Sequence, residues 1–284
     1  MNATLNQYFR KAELKIKLPS QGQYYPPGIL QMDANGEVDV YPMTAADELT
    51  MKTPDALLTG ESTVKVIQSC VPQIKNAWFI PSMDVDVILI GIRIATYGPK
   101  MAINSNTPVT GTKQEHDVDL QALIESMNKS LVPSTVTLPN GLQVVCKPMN
   151  YQQLSLMRRN TFEKQRLART LNDAKMSDEE KQTEFNKIFE SLTAINIDSL
   201  VSNIESVVTP DGAVQDRAQI DEFIKNVRLD EVNLIRAKVE EIGTVGQIPP
   251  LKAQASEEDV KKGAPKTYDV PVLFDNSDFF ASRS

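Results

Sequence analysis

A chain of 284 residues with 41% hydrophobic content and a formal net charge of −7 is long enough to bury the core of one large or two modest domains. Its acidity argues against a general phosphate-binding surface while leaving local basic patches open. With two distant cysteines, Cys70 and Cys146, and one histidine, His116, neither a disulfide scaffold nor a Cys/His zinc site can be assembled, and the cysteine usage is that of a reduced cytosolic protein.

The N-terminus, MNATLNQYFRKAELKIKLP, lacks the apolar h-region of a signal peptide. Leu14, Ile16 and Leu18 alternate with charged residues as in a half-buried strand ending at Pro19. Gly22, Pro26, Pro27 and Gly28 then demand a loop over residues 20–28. On it, Tyr24 and Tyr25 form a partner-binding knob or pack back on their own domain. Residues 29–49 read as a hairpin feeding a helix: Asn35-Gly36 makes the turn, Val38 and Val40 alternate with Glu37 and Asp39, and Pro42 ends the strand. Thr44 is placed as the helix cap, with Asp47 completing a variant capping box.

Pro54 can open a helix that Gly60 ends, and Val64, Val66, Ile67, Cys70 and Val71 predict a further short helix stopped before Pro72. Cys70 reads as a buried small hydrophobe and Trp78-Phe79-Ile80 as core. The most apolar stretch is SMDVDVILIGIRIATYG, residues 82–98, interrupted only by Asp84, Asp86 and Arg93. Its β-branched content suits a strand, but its length, the aspartates near its start and Gly98 at its end favour a buried central helix. A membrane span needs about 20 uninterrupted apolar residues. A core has no need of an arginine, so Arg93 is expected to pair with a carboxylate or with the C-terminal carbonyls of a neighbouring helix. Residues 99–112 read as a loop-rich connection. His116, in TKQEHDVDL, reads as a solvated or edge-strand histidine, and Asp117 to Leu120 lead into the amphipathic LQALIESM.

Residues 135–154 repeat the grammar of 29–49: Val136 and Leu138, the Asn140-Gly141 turn, Val144 and Val145, Pro148-Met149, then Asn150 as cap with Gln153. Two copies of a hairpin, Pro-Met, capped-helix unit are therefore expected. From Asn150 to Gly243 the chain turns helical and charged, with apolar 3/4 spacing over Phe185–Ile195 and, in a shifted frame, Ile197–Val208. Pro210-Asp211-Gly212 forces a turn, and Asp216 and Asp230 can open two more helices. Arg158, Arg159, Lys164, Arg166 and Arg169 form the strongest basic cluster, read as a solvated face or an acidic-partner contact ahead of a nucleic-acid site. Tyr268, Val270, Val272 and Phe274 alternate as a final strand, and Phe279-Phe280 in the tail suggests docking.

The fold class is thus α+β: small β-hairpin units around a buried central helix, then a helical bundle region and a C-terminal strand. The expected divisions are 1–149, a helical region over 150–243, a linker or mobile hairpin over 244–266, and the strand and tail over 267–284.

Three stretches resemble the T-even-type bacteriophage baseplate proteins associated with the hub of the contractile tail: YPMTAADELTMKTPDALLTGESTVKVIQSCVP, DVDVILIGIRIATYG and YDVPVLFDNSDFF. The second hairpin, TLPNGLQVVCKPMNYQQL, is similar to a segment of phage tail-assembly chaperones. The resemblance implies a non-enzymatic protein of hub structure and assembly, or a transient assembly chaperone. Its implied partners are other baseplate or hub proteins, the tape-measure protein or further copies of itself. Its implied location is the host cytoplasm during assembly and the tail baseplate if retained. Some relatives carry Cys-x-x-Cys knuckles where this chain reads NSNTPVTGTK and AQASEEDVKKGAPK, so any ribbon at 104–113 or 253–266 must be held by packing and hydrogen bonds. No catalytic, cofactor or metal residues are indicated, since no nucleophile elbow, P-loop or G-x-G-x-x-G is present. Partner contacts are expected at Tyr24, Tyr25, Phe279 and Phe280; a nucleic-acid adaptor is the remote alternative.

Overall fold

The computed structural model describes residues 3–53, 59–173 and 177–272. After a 3-10 turn over Ala3–Tyr8, strand β1, Leu14–Lys17, pairs antiparallel with β2, Glu37–Val40. Ile16 lies opposite Val38 and Leu14 opposite Val40, so alternation delivers one apolar face to the core. The strand after Asn35-Gly36 therefore pairs far upstream and not with residues 29–34, which corrects the local hairpin expected over 29–49. Asp33 closes that turn alone, its Oδ1 accepting from the Asn35 and Glu37 N–H groups. Leu30 is drawn instead into a backbone bridge with Ile74.

Helix α1, Ala45–Met51, begins with the expected capping box: Thr44 Oγ1 accepts from the Asp47 N–H, and the Asp47 carboxylate accepts from the Thr44 N–H. Arg10 reaches the same carboxylate at 3.1 Å and donates to the Ser69 carbonyl, pinning the N-terminal arm. Helix α2, Glu61–Cys70, follows Gly60, which is its N-cap at φ 81°. The helix expected from Pro54 falls largely outside the described residues.

The apolar stretch is helix α3, Ser82–Tyr97, closed by Gly98 at φ 88°. Val87, Ile88, Ile90 and Ile92 are fully buried, each worth roughly 1.5–3 kcal/mol of transfer free energy. They form one cluster with β1, β2 and α2 and with α4, Leu120–Met127. Between α3 and α4 half of the connection over 99–112, expected to be loop-rich, is strand, and 107–112 is the turn that follows it. β3, Lys100–Asn106, pairs with β4, Lys113–Asp119, in an antiparallel ribbon whose mostly polar side chains hid its period-2 pattern.

A second cluster lies on a four-stranded antiparallel sheet whose strands neighbour one another in chain order. β5, Thr135–Thr137, and β6, Gln143–Cys146, make the expected hairpin. Asn150 then exchanges hydrogen bonds with Gln153 to cap α5, Tyr151–Asp173. The two Pro-Met units thus share a strand and a capped helix, but only the second has a local hairpin. α5 packs with α6, Asp178–Ser202, as a helical hairpin. The apolar run read as helical through Val208 is interrupted at Asn203. β7, Ile204–Thr209, returns to pair with β6, because Val144 and Val207 are buried opposite one another. β8, Gly212–Val214, completes the sheet. Helices α7, Arg217–Asn226, and α8, Leu229–Gly243, add Ile220, Ile224, Val232, Ile235 and Ile242 to the same cluster. Residues 150–243 are therefore not a pure bundle: with their helices they hold two strands of a sheet whose other two come from 135–146.

The stretch 244–266 is more than a linker: it holds β9, Leu251–Gln254, and α9, Glu257–Lys261, and β9 pairs with β10, Thr267–Val270. Phe274, expected in the last strand, lies outside the described residues.

Candidate functional site

The start of α3 carries a buried polar cluster. Asp84 is fully buried, and its carboxylate accepts from the Ser20 N–H at 2.8 Å, the Ser20 hydroxyl at 2.5 Å and the Tyr25 hydroxyl at 2.9 Å. Burial pushes its pKa up to about 6 despite the three donors, and burial with the adjacent carboxylate drives the Tyr25 phenol well above its ordinary value. Tyr25 thus faces inward, against the first cluster, while Tyr24, at φ 69°, packs beside the second. Nearby, Gly246 at φ 74° approaches α3 so closely that a Cβ there would meet the Met83 carbonyl oxygen. Asp84's place in the first turn was legible from its spacing, but its partners were not, since they come from a loop far away in the chain.

At the other end of α3, Arg93 is buried with its guanidinium carbon 4.5 Å from the Tyr97 ring centroid, a cation–π contact. His116 lies on β4, its Nε2 2.9 Å from Ser105 Oγ across the ribbon. Both cysteines are buried free thiols pushed up to about 11 by burial, so neither is poised as a thiolate nucleophile. Among the described residues no cluster of three or more His, Cys, Asp or Glu is placed to hold a metal, and no helix is long and apolar enough to cross a membrane.

The segments 104–113 and 253–266 meet each other. Asp259 of α9 accepts from Thr112 at 2.8 Å and from Ser256 at 2.7 Å, and the Tyr268 hydroxyl donates to Gln114 at 3.0 Å. Ser256, Thr112 and Thr110 together hold the Asp259 carboxyl below the usual range. Ile103 packs against Ala253, Tyr268 and Val270 beneath them. A hydrogen-bonded clasp over a small apolar base joins the β3–β4 ribbon to the β9–β10 ribbon.

Among the described residues, five exposed large apolar side chains gather on the helical hairpin, while Leu49, Val109 and Leu229 are exposed singly elsewhere. Phe162 and Phe189 are 56% and 72% exposed, with Leu156, Leu167 and Phe185 also on the surface. Grooves flank α6: one of about 520 Å³ includes Met149, Leu156, Met157 and Ile195, and another of about 430 Å³ includes Phe189, Ala194 and Ile197. Sequence periodicity marked Phe185 and Phe189 as part of a stripe needing a partner, but α5 does not cover them. The basic cluster is on α5, while Phe279 and Phe280 lie outside the described residues.

A search of curated proteins and one of solved structures returned no match. A family model described as T4 bacteriophage base plate protein matches residues 10–281. That span takes in both clusters, both ribbons and the helical hairpin, and the chain belongs to the T4 bacteriophage base plate protein family.

Proposed function

We infer that this chain is a non-enzymatic protein of the baseplate hub, acting in hub structure and assembly through contacts with other proteins. The observation that carries the reading is the helical hairpin: a baseplate-family chain presents Phe162, Phe185 and Phe189 to solvent, Phe189 lining one of the two grooves. Large exposed apolar groups of this kind mark interaction surfaces. Tyr24 and the Phe279-Phe280 tail are further contact points in this reading, toward neighbouring hub proteins, the tape-measure protein or other copies of the chain. Arg93 serves as an internal support, its charge balanced at the end of α3 by Tyr97 and by carboxylate or carbonyl oxygens.

A second reading, a chaperone that leaves before the particle matures, draws on the similarity of residues 137–154 to tail-assembly chaperones. Quantitative mass spectrometry of purified particles separates the two. Several copies per particle support the structural subunit; absence from particles whose assembly requires the protein supports the chaperone. Absence combined with normal assembly in a deletion strain overturns both.

A further inference from the structure

We propose that the outward face of α5 docks an acidic segment of another protein that also carries an aromatic or aliphatic anchor. The proposal deepens, and rests on, the reading of the chain as a protein that works by protein–protein contact.

Arg158, Phe162 and Arg166 follow one another at four-residue intervals; Arg159 precedes Phe162, and Arg169 follows Arg166, by three. On a helix these intervals place all five on one stripe, about 17 Å long from first to last. All four arginines are exposed, and Phe162 stands uncovered among them. The half-buried Met157, Thr161, Lys164 and Ala168 occupy the opposite side of the helix. The stripe therefore points away from the body of the protein.

Little of its charge is spent internally among the described residues. Among the described residues none of the four arginines enters an ion pair, although Glu163 is spaced to meet Arg159 and Arg166. Only Arg158, nearest the body, is felt by a carboxylate, that of Asp86 in α3. Four like charges on one helical face repel one another, so on a chain of net charge −7 they are a local cost that an external anion removes. The chemistry favours carboxylates. Arginine forks bind them in bidentate pairs, phenylalanine and arginine are both enriched at protein–protein interfaces, and the acidic remainder of the chain repels a long polyanion.

The test is made in infected cells with the full-length protein carrying a photo-cross-linking benzophenone amino acid in place of Phe162, followed by identification of the linked peptide. The expected product joins position 162 to a different phage protein, within a run rich in Asp or Glu. It should fall at least tenfold when Arg159→Glu and Arg166→Glu are added, and partly survive Arg159→Lys with Arg166→Lys. Arg159→Gln with Arg166→Gln provides a milder variant, and an unchanged melting temperature verifies folding in each case. Cross-linking to nucleic acid, to a second copy of this chain or to a segment without carboxylates overturns the proposal. So does the absence of any product, or a yield indifferent to charge reversal. These outcomes concern the α5 face alone: the hub reading fails separately, if particles neither contain the protein nor need it.

Discussion

Asp84 makes stability depend on pH in a direction opposite to that of most paired carboxylates. Its folded pKa is about 6, against an ordinary 3.8, so the folded state holds the proton more tightly than the unfolded chain does. Its contribution is therefore complete below about pH 4, declines as pH rises toward 6, and is constant beyond. The interval corresponds to about 3 kcal/mol. Asp84→Asn should flatten this part of the profile, as read from urea midpoints between pH 4 and 7. Asp84→Ala should cost about 3 kcal/mol at pH 7, because Ser20 and Tyr25 lose their shared acceptor in the interior. Gly246→Ala is expected to be at least as harmful: its φ of 74° disfavours any Cβ, and the new atom would lie 2.1 Å from the Met83 carbonyl oxygen. A thermal melt of that variant should show a loss of about 3 kcal/mol.

At the scale of elements, the sequence showed what formed more readily than what paired. The caps at Thr44, Asn150 and Asp216 are local chemistry and could be read from a few residues. The partner of β2 could not, since Val38 and Val40 alternate equally well against any strand that offers an apolar face. Residues 204–208 misled for a related reason: Ile204, Val207 and Val208 satisfy helical spacing, and only the long-range pairing with β6 makes them a strand. The β3–β4 ribbon was hidden because Lys100 to Asn106 has little apolar alternation and depends on the clasp beyond it. That dependence is testable. Asp259→Ala should speed hydrogen exchange at Thr107 to Thr112 and at Val260 to Ala264, while leaving the amides of α3 protected, because the clasp joins the ribbon tips and not the main core.

In the whole molecule, α3 contributes to both large clusters: Val87, Ile88, Ile90 and Ile92 to the first, and Met83 to the second. Its burial was legible from composition; its place between two cores was not, since that depends on where the sheet and the Gly246 turn arrive. The interaction surface was half legible, as stripes that lacked a partner in the chain. Phe189→Asp separates surface from core: with the side chain 72% exposed, folding stability should stay within about 0.5 kcal/mol. Particle incorporation, measured by mass spectrometry, should fall sharply.

The base of the helical hairpin is joined to the central helix by backbone. Ser82 N–H donates to the Met149 carbonyl and Tyr151 N–H to the Ile80 carbonyl, each at 2.8 Å, and Tyr151 stacks on Trp78 at 5.9 Å between ring centroids. In mechanical terms α5 is an arm about 35 Å long whose fulcrum is this stitch. A load applied near Arg169 reaches the protein as shear across two main-chain hydrogen bonds at the entrance of its most deeply buried helix. Movement of whatever grips the arm is thereby delivered to the core and not absorbed in a loop.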